Sequence, residues 1–216
     1  MKTIIAFDFS INKPAMCIFH NNKLDFYTWP LNIDKKSMDI LKLCDIHVYN
    51  RELQPINKKQ YDSNSLVYEH VKRCSELVNI IINDIMNFIK NNNINKNDII
   101  ISSEGLSYGS NGDATLNLAA YKQSLLIKLY ENGLTNIKTY SPITIKSTAG
   151  KSKKGEGTKI SMIDAIKNEE KIHKFIEILS TDDSLLKKKT SYIQTVDDLV
   201  DSYWCLKTTI KKENLY

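Results

Sequence analysis

Residues 3–9, TIIAFDF, constrain the fold more than any other stretch of the chain. The run is short, apolar, and rich in β-branched and aromatic residues, the marks of a strand. Strand side chains alternate, so Ile4, Ala6, Asp8 and Ser10 share one face while Ile5, Phe7 and Phe9 share the other. Apolar residues lie on both faces, so both need cover, which places the strand in a layered α/β domain. Asp8 is then out of place, because an ionised carboxylate is costly to bury unless something pairs with it. Two readings remain open. Asp8 caps a turn at the strand end, or it belongs to a metal or phosphate site at the sheet's C-terminal edge, where α/β sheets place ligands.

The rest of the chain fills in the layers. AMCIFH (15–20) follows a Lys-Pro turn, and Asn21-Asn22 opens a hairpin into KLDFYTW (23–29), so three antiparallel strands come first. Residues 31–65 are mixed and polar without a strong period, and read as an insertion or extended loop with room for a hairpin of its own. Val67, Val71, Cys74, Val78, Ile81, Ile82, Ile85 and Ile89 recur at helical spacing and predict a helix over 66–90, with Ser65 as its N-cap. DIIISSEG (98–105) predicts a buried strand running into a Gly turn. A helix over 114–131 follows, with Gly133 at the C-cap position, then a strand over 136–142 stopped by proline. A Lys/Gly-rich loop, a helix from about Thr158, a polar run holding Lys187–Lys189, and a last helix over 195–210 complete the order. The prediction is one α/β domain over 1–216, with a mixed five-stranded sheet flanked by helices.

Composition narrows the function classes modestly. A net charge of +5 permits nucleic acid as a partner without requiring it. The four cysteines form no C-x-x-C pair, which argues against a zinc ribbon, and with no N-terminal signal segment they read as reduced thiols of a cytoplasmic protein. No apolar run approaches the ~18 residues of a membrane helix, so no membrane partner is expected.

Three further acidic positions join Asp8. Glu104 ends the apolar run IIISS at a strand tip, and of seven glycines all but Gly133 lie in the two loops after Glu104 and after residue 149. Such clustering points to close backbone approach to a ligand. In TVDDLVDSYWC (195–205), Val196, Leu199, Val200, Tyr203 and Trp204 form the buried stripe of a helix. Asp198 and Asp201 are three apart and Asp197 and Asp201 four apart, so each pair shares a face. A solvated face favoured by the helix dipole is the plainer reading. The sharper one is that Asp8, Glu104, Asp198 and Asp201 converge as hard oxygen donors for two Mg²⁺ ions, with Mn²⁺ as a substitute. Such a pair activates water and stabilises the leaving oxygen of a phosphodiester. From Lys138 to Lys159 there are six lysines (138, 146, 151, 153, 154, 159) against one acid, Glu156, which suits a nucleic-acid backbone. The pattern is not G-x-x-x-x-G-K-[ST], so a Walker nucleotidase is a poor fit.

IIAFDFSINKPAMCIF, SSEGLSYGSNGDATLNLAAYKQSLL, YSPITIKSTAGKSKKGEGTK and VDDLVDSYWCL together resemble the RuvC-like Holliday-junction resolvases, in particular their phage and poxvirus branch. The resemblance covers about residues 1–30 and 98–210. It implies an RNase H-like fold in which Asp8, Glu104, Asp198 and Asp201 ligate two Mg²⁺ ions; Asp197, without a counterpart in the family's pattern, is left as a candidate outer partner. By the same resemblance Lys146 and Lys159 contact the scissile phosphate or neighbouring backbone, and Ser10, Tyr108, Lys151, Lys153 and Lys154 lie along the DNA. It further implies a homodimer that nicks four-way DNA junctions symmetrically, in a cytoplasm that is the host cell's if the chain is phage or viral. Competing readings are an RNase H-like nuclease acting on RNA–DNA hybrid, flap or RNA, a catalytically inactive junction binder, and an actin- or sugar-kinase-like nucleotide binder. The last needs two such domains, for which this chain is too short.

Overall fold

The N-terminal apolar run forms β1 (Thr3–Asp8), covered on both faces as its composition requires. The computed structural model describes residues 2–53, 62–105, 113–151, 157–188 and 191–215. β1 pairs antiparallel with β2 (Ala15–His20), and β2 with β3 (Lys23–Thr28). Asn21 and Asn22 take positive φ values of 49° and 61°, the turn conformation that matches the twist of a tight hairpin.

The span read as an extended loop carries two elements of its own. Helix α1 (Lys35–Leu43) is N-capped by Asp34, whose carboxylate accepts the Ser37 N–H. β4 (Ile46–Val48) then pairs parallel with β3. The sheet therefore has six strands rather than the five expected, and the described part of this span forms a helix and an edge strand, not a hairpin. Three residues, one an exposed histidine, carry too little alternation to register as a strand until a neighbour's edge is available to pair with.

α2 (Ser63–Asn91) begins slightly earlier than expected. Its N-cap is Asp62, whose carboxylate accepts the Ser65 N–H, so Ser65 is a capped residue and not the cap. β5 (Ile99–Glu104), α3 (Asp113–Glu131) and β6 (Ile137–Tyr140) follow. Pro142 does more than stop β6. With Ser141 as N-cap it opens α4 (Pro142–Thr148), because proline's missing N–H is not needed in a first turn. The Lys-rich stretch thus starts with a helix. α5 (Lys159–Ala165) is N-capped by Thr158, and α6 (Lys174–Thr181) leads to the small β7–β8 ladder (Lys187–Lys188 with Ser191–Tyr192) and α7 (Val196–Lys212). Lys187 pairs with Asp183 and Lys188 with Asp34, so these two members of the lysine triplet tie local elements together.

The sheet order is β4-β3-β2-β1-β5-β6, with β1–β5 and β5–β6 parallel. Alternation divides the core. Ile4, Ala6, Cys17 and Phe26 pack under α7 through Leu199, Val200, Tyr203 and Trp204. Ile5, Phe7, Met16 and Trp29 pack under α2 and α3 through Leu77, Ile81, Ile85, Leu125 and Leu129. All four cysteines are free thiols. Among the described residues no helix is long and apolar enough to cross a membrane.

Candidate active site

The face of the sheet under α7 carries the acidic residues. Asp8 ends β1 on the face of Ile4 and Ala6. In β5, the Ser102 hydroxyl lies 3.4 Å from the Cys205 thiol of α7, so Glu104, two residues on, also points to the α7 side. β1 and β5 are parallel with Phe7 opposite Ser103, which brings Asp8 and Glu104 to the same edge. α7 supplies Asp198 and Asp201 from its first turns. Asp198 is only 6% exposed although it is an acid. Thr195, just before α7, is held at φ 92°, a region β-branched residues rarely enter, and its hydroxyl is buried without a partner. Such strain costs on the order of 1–3 kcal/mol and persists where packing imposes it.

The electrostatics show how close the four acids are. Burial, then the charges of Asp198, Asp201 and Glu104, hold the Asp8 carboxyl well above its ordinary range, and a hydrogen bond with Asp198 adds to this. Burial and the neighbouring Asp197 push Asp198 up to about 6. Burial, Glu104 and Asp198 push Asp201 up to about 7. Glu104 is raised by burial, against the opposing charges of Lys122 and Lys146. The mutual repulsion among these carboxylates is of the kind that a nearby cation relieves.

Asp197 behaves differently. Its burial opposes ionisation, but hydrogen bonds from Lys13 and Lys159 prevail and lower it to about 2. Lys13 Nζ donates to Asp197 Oδ1 at 2.7 Å and Oδ2 at 2.9 Å, and Lys159 pairs with the same carboxylate. Lys13 Nζ also lies 2.9 Å from Asp198 Oδ2, yet without hydrogen-bond geometry, so this buried oxygen has no donor among the described residues.

Lys146, in the last turn of α4, faces Glu104 and lies over Gly157. A Cβ at Gly157 would stand 2.5 Å from Lys146 Cδ. Gly157→Ala should therefore displace the Lys146 side chain while leaving the fold intact. The expected result is a Lys146 ammonium moved away from Glu104 in the variant's structure, with Tm unchanged within ~2 °C; an unmoved Lys146 contradicts the contact. Gly105 is a correction to the glycine reading. Its N–H donates to the Tyr140 carbonyl at 2.7 Å, and a Cβ there would meet that oxygen at 3.3 Å, so the close approach is to β6 and not to a ligand. The Ser10 hydroxyl accepts the Lys13 N–H at 3.0 Å, and the Lys151 N–H donates to the Lys146 carbonyl at 2.8 Å. Tyr108, Lys153 and Lys154 lie outside the described residues.

Two lysines escaped the sequence reading. Lys13 sits in the β1–β2 loop, and Lys122, on α3, is buried near Glu104, Cys205 and Asp8, its pKa lowered by that burial. Both lie within the stretches that carry the resemblance, but neither was assigned a role, because their proximity to the acids depends on segments remote in the chain.

The donor set fits a hard divalent cation. Four carboxylates share one edge, and one buried oxygen has no donor. Among the described residues no three acidic, histidine or cysteine groups are drawn tightly around a single point.

A mixed sheet of three antiparallel strands extended by parallel β5 and β6, with acids on β1, β5 and the last helix, defines an RNase H-like fold. The chain has, more particularly, the fold of RuvC. It superposes on the Thermus thermophilus RuvC structure with a TM-score of 0.50 and 10% identity, covering 98% of this chain and 96% of the other. Against T. thermophilus RuvC in complex with Holliday junction substrate the TM-score is 0.51 at 9% identity, with 99% and 96% covered. The yeast mitochondrial Holliday junction resolvase Ydc2 matches with a TM-score of 0.42 and 12% identity over 98% of this chain and 78% of that one. No protein-family model and no curated protein matches the sequence.

Proposed function

We propose that this chain is a divalent-metal-dependent endonuclease that resolves branched DNA, of the phage and poxvirus type. The observation that carries the reading is the meeting of Asp8, Glu104, Asp198 and Asp201 at one edge of a RuvC-like sheet. A similar fold solved with Holliday junction substrate supports four-way junctions as the partner. Asp8, Glu104, Asp198 and Asp201 would hold two Mg²⁺ ions, which supply an activated water and charge stabilisation at the leaving oxygen. Burial under α7 keeps the carboxylates rigid and limits water around them. Lys146 in α4 and Lys159 in α5 offer positive charge to the strand. A homodimer in the cytoplasm, one site per strand, completes the reading. The exposed apolar residues Val67, Val71 and Ile127 beside a cavity of about 440 Å³ between α2 and α3 offer one face for it.

The test compares a labelled four-way junction, linear duplex, flap and RNA–DNA hybrid in Mg²⁺. Paired symmetric nicks confined to the junction are expected, and none in EDTA. Equal cutting of the hybrid would instead identify an RNase H-type nuclease, and tight, salt-sensitive junction binding without cleavage a non-catalytic binder.

A further inference from the structure

Lys13 stands five residues after Asp8 in a loop that is fixed at several points. Its own N–H donates to the Ser10 hydroxyl at 3.0 Å, the Leu31 N–H to the Asn12 carbonyl at 2.7 Å, and Arg51 Nη2 to the Ile11 carbonyl at 2.6 Å. Pro14 follows, and its carbonyl accepts the Trp29 N–H at 3.2 Å. The backbone therefore aims the Lys13 side chain, which is 24% exposed, at the start of α7. There the ammonium makes two unequal contacts. Its bonds to both oxygens of Asp197 have hydrogen-bond geometry. Its 2.9 Å approach to Asp198 Oδ2 lacks that geometry, so this is the weaker of the two contacts. An ammonium anchored on one carboxylate by two hydrogen bonds and leaning on the next can leave the second at the smaller cost.

We propose that Lys13 is the cluster's built-in counter-ion: its ammonium covers the Asp198 oxygen that a divalent cation takes, and it withdraws onto Asp197 when the cation arrives. This rests on the metal-site reading given above. Asp197 then serves as the parking partner of Lys13, with Lys159 as its second cation. Lys13 and the metal oppose each other at Asp198, so the lysine sets how tightly the metal binds. In the metal-free chain it limits the repulsion among Asp8, Asp198 and Asp201.

The experiment titrates Mn²⁺ alone into the full chain, without DNA, at fixed salt, with free Mn²⁺ read by electron paramagnetic resonance. Lys13→Met and Lys13→Gln, whose amide keeps a hydrogen bond to Asp197 and guards against loss of fold, are expected to bind Mn²⁺ on the order of ten-fold more tightly than wild type, the effect of removing a unit charge at contact range. Lys13→Arg, which keeps the charge, should stay within about two-fold of wild type. Wild-type binding with no tightening in Lys13→Met or Lys13→Gln overturns the counter-ion role and leaves the metal site standing. Absence of Mn²⁺ binding in every chain, wild type included, overturns both.

Discussion

Under the proposed function, Asp201→Asn and Asp8→Asn should each lower the single-turnover rate of junction cleavage in Mg²⁺ by about 10³-fold or more, equivalent to roughly 4 kcal/mol of transition-state stabilisation. The substitution keeps size and shape and removes only the charge. α7 stays seated, because Leu199, Val200, Tyr203 and Trp204 remain buried against β1 and β2. What is lost is a hard anionic donor, and an amide oxygen is a much poorer partner for Mg²⁺. Junction affinity measured in Ca²⁺ or EDTA should change little, which separates loss of chemistry from loss of binding. Undiminished cutting by either variant would sink the two-metal assignment.

In EDTA the Asp201→Asn substitution stabilises the protein. Burial and the neighbouring Glu104 and Asp198 charges push Asp201 up to about 7 in the folded chain, and Asp198 rises to about 6. In the unfolded chain both titrate near 3.9. Between these values the folded state binds more protons than the unfolded state, so stability is highest below about pH 4 and is lost as pH rises through 6 to 7. For Asp201 that loss is on the order of 2–4 kcal/mol. The amide has no charge to lose, so Asp201→Asn should raise Tm in EDTA by about 4–10 °C at pH 8, with the gain shrinking toward pH 5. In wild type, Mg²⁺ should recover part of the difference at pH 8 by binding the folded state alone. A metal-free Tm that is flat between pH 5 and 8, or lower in the variant, contradicts the crowded-carboxylate account.

Both effects concern residues legible in the sequence, and the reason is local inconsistency. Asp8 interrupts a strand whose two faces are otherwise apolar, and Asp198 and Asp201 sit at helical spacing beside a stripe of large apolar residues. A chain breaks its own pattern in this way where function requires it. The helices were legible from their period and the central strands from their continuous apolar runs. β4 was not, because Ile46–Val48 becomes a strand only when β3 presents an edge to it. The cap of α2 was misplaced because Asp62, Ser63 and Ser65 are all capable caps, and the choice between them depends on where the chain enters the helix.

The charges around the acids were decided by tertiary structure. Lys13 meets Asp197 across 184 residues of chain, and Lys122 reaches the cluster from the opposite layer, on a helix whose sequence does not distinguish it from Lys128. Thr195 takes its left-handed φ between the β7–β8 ladder and α7, a conformation that the local preference of a β-branched residue would not select. Periodicity reports which face of an element is buried, so the sequence by itself determined the layers and the acids that violate them. Which cations stand beside those acids depends on through-space distance between segments remote in the chain, and only the packed sheet and α7 set that distance.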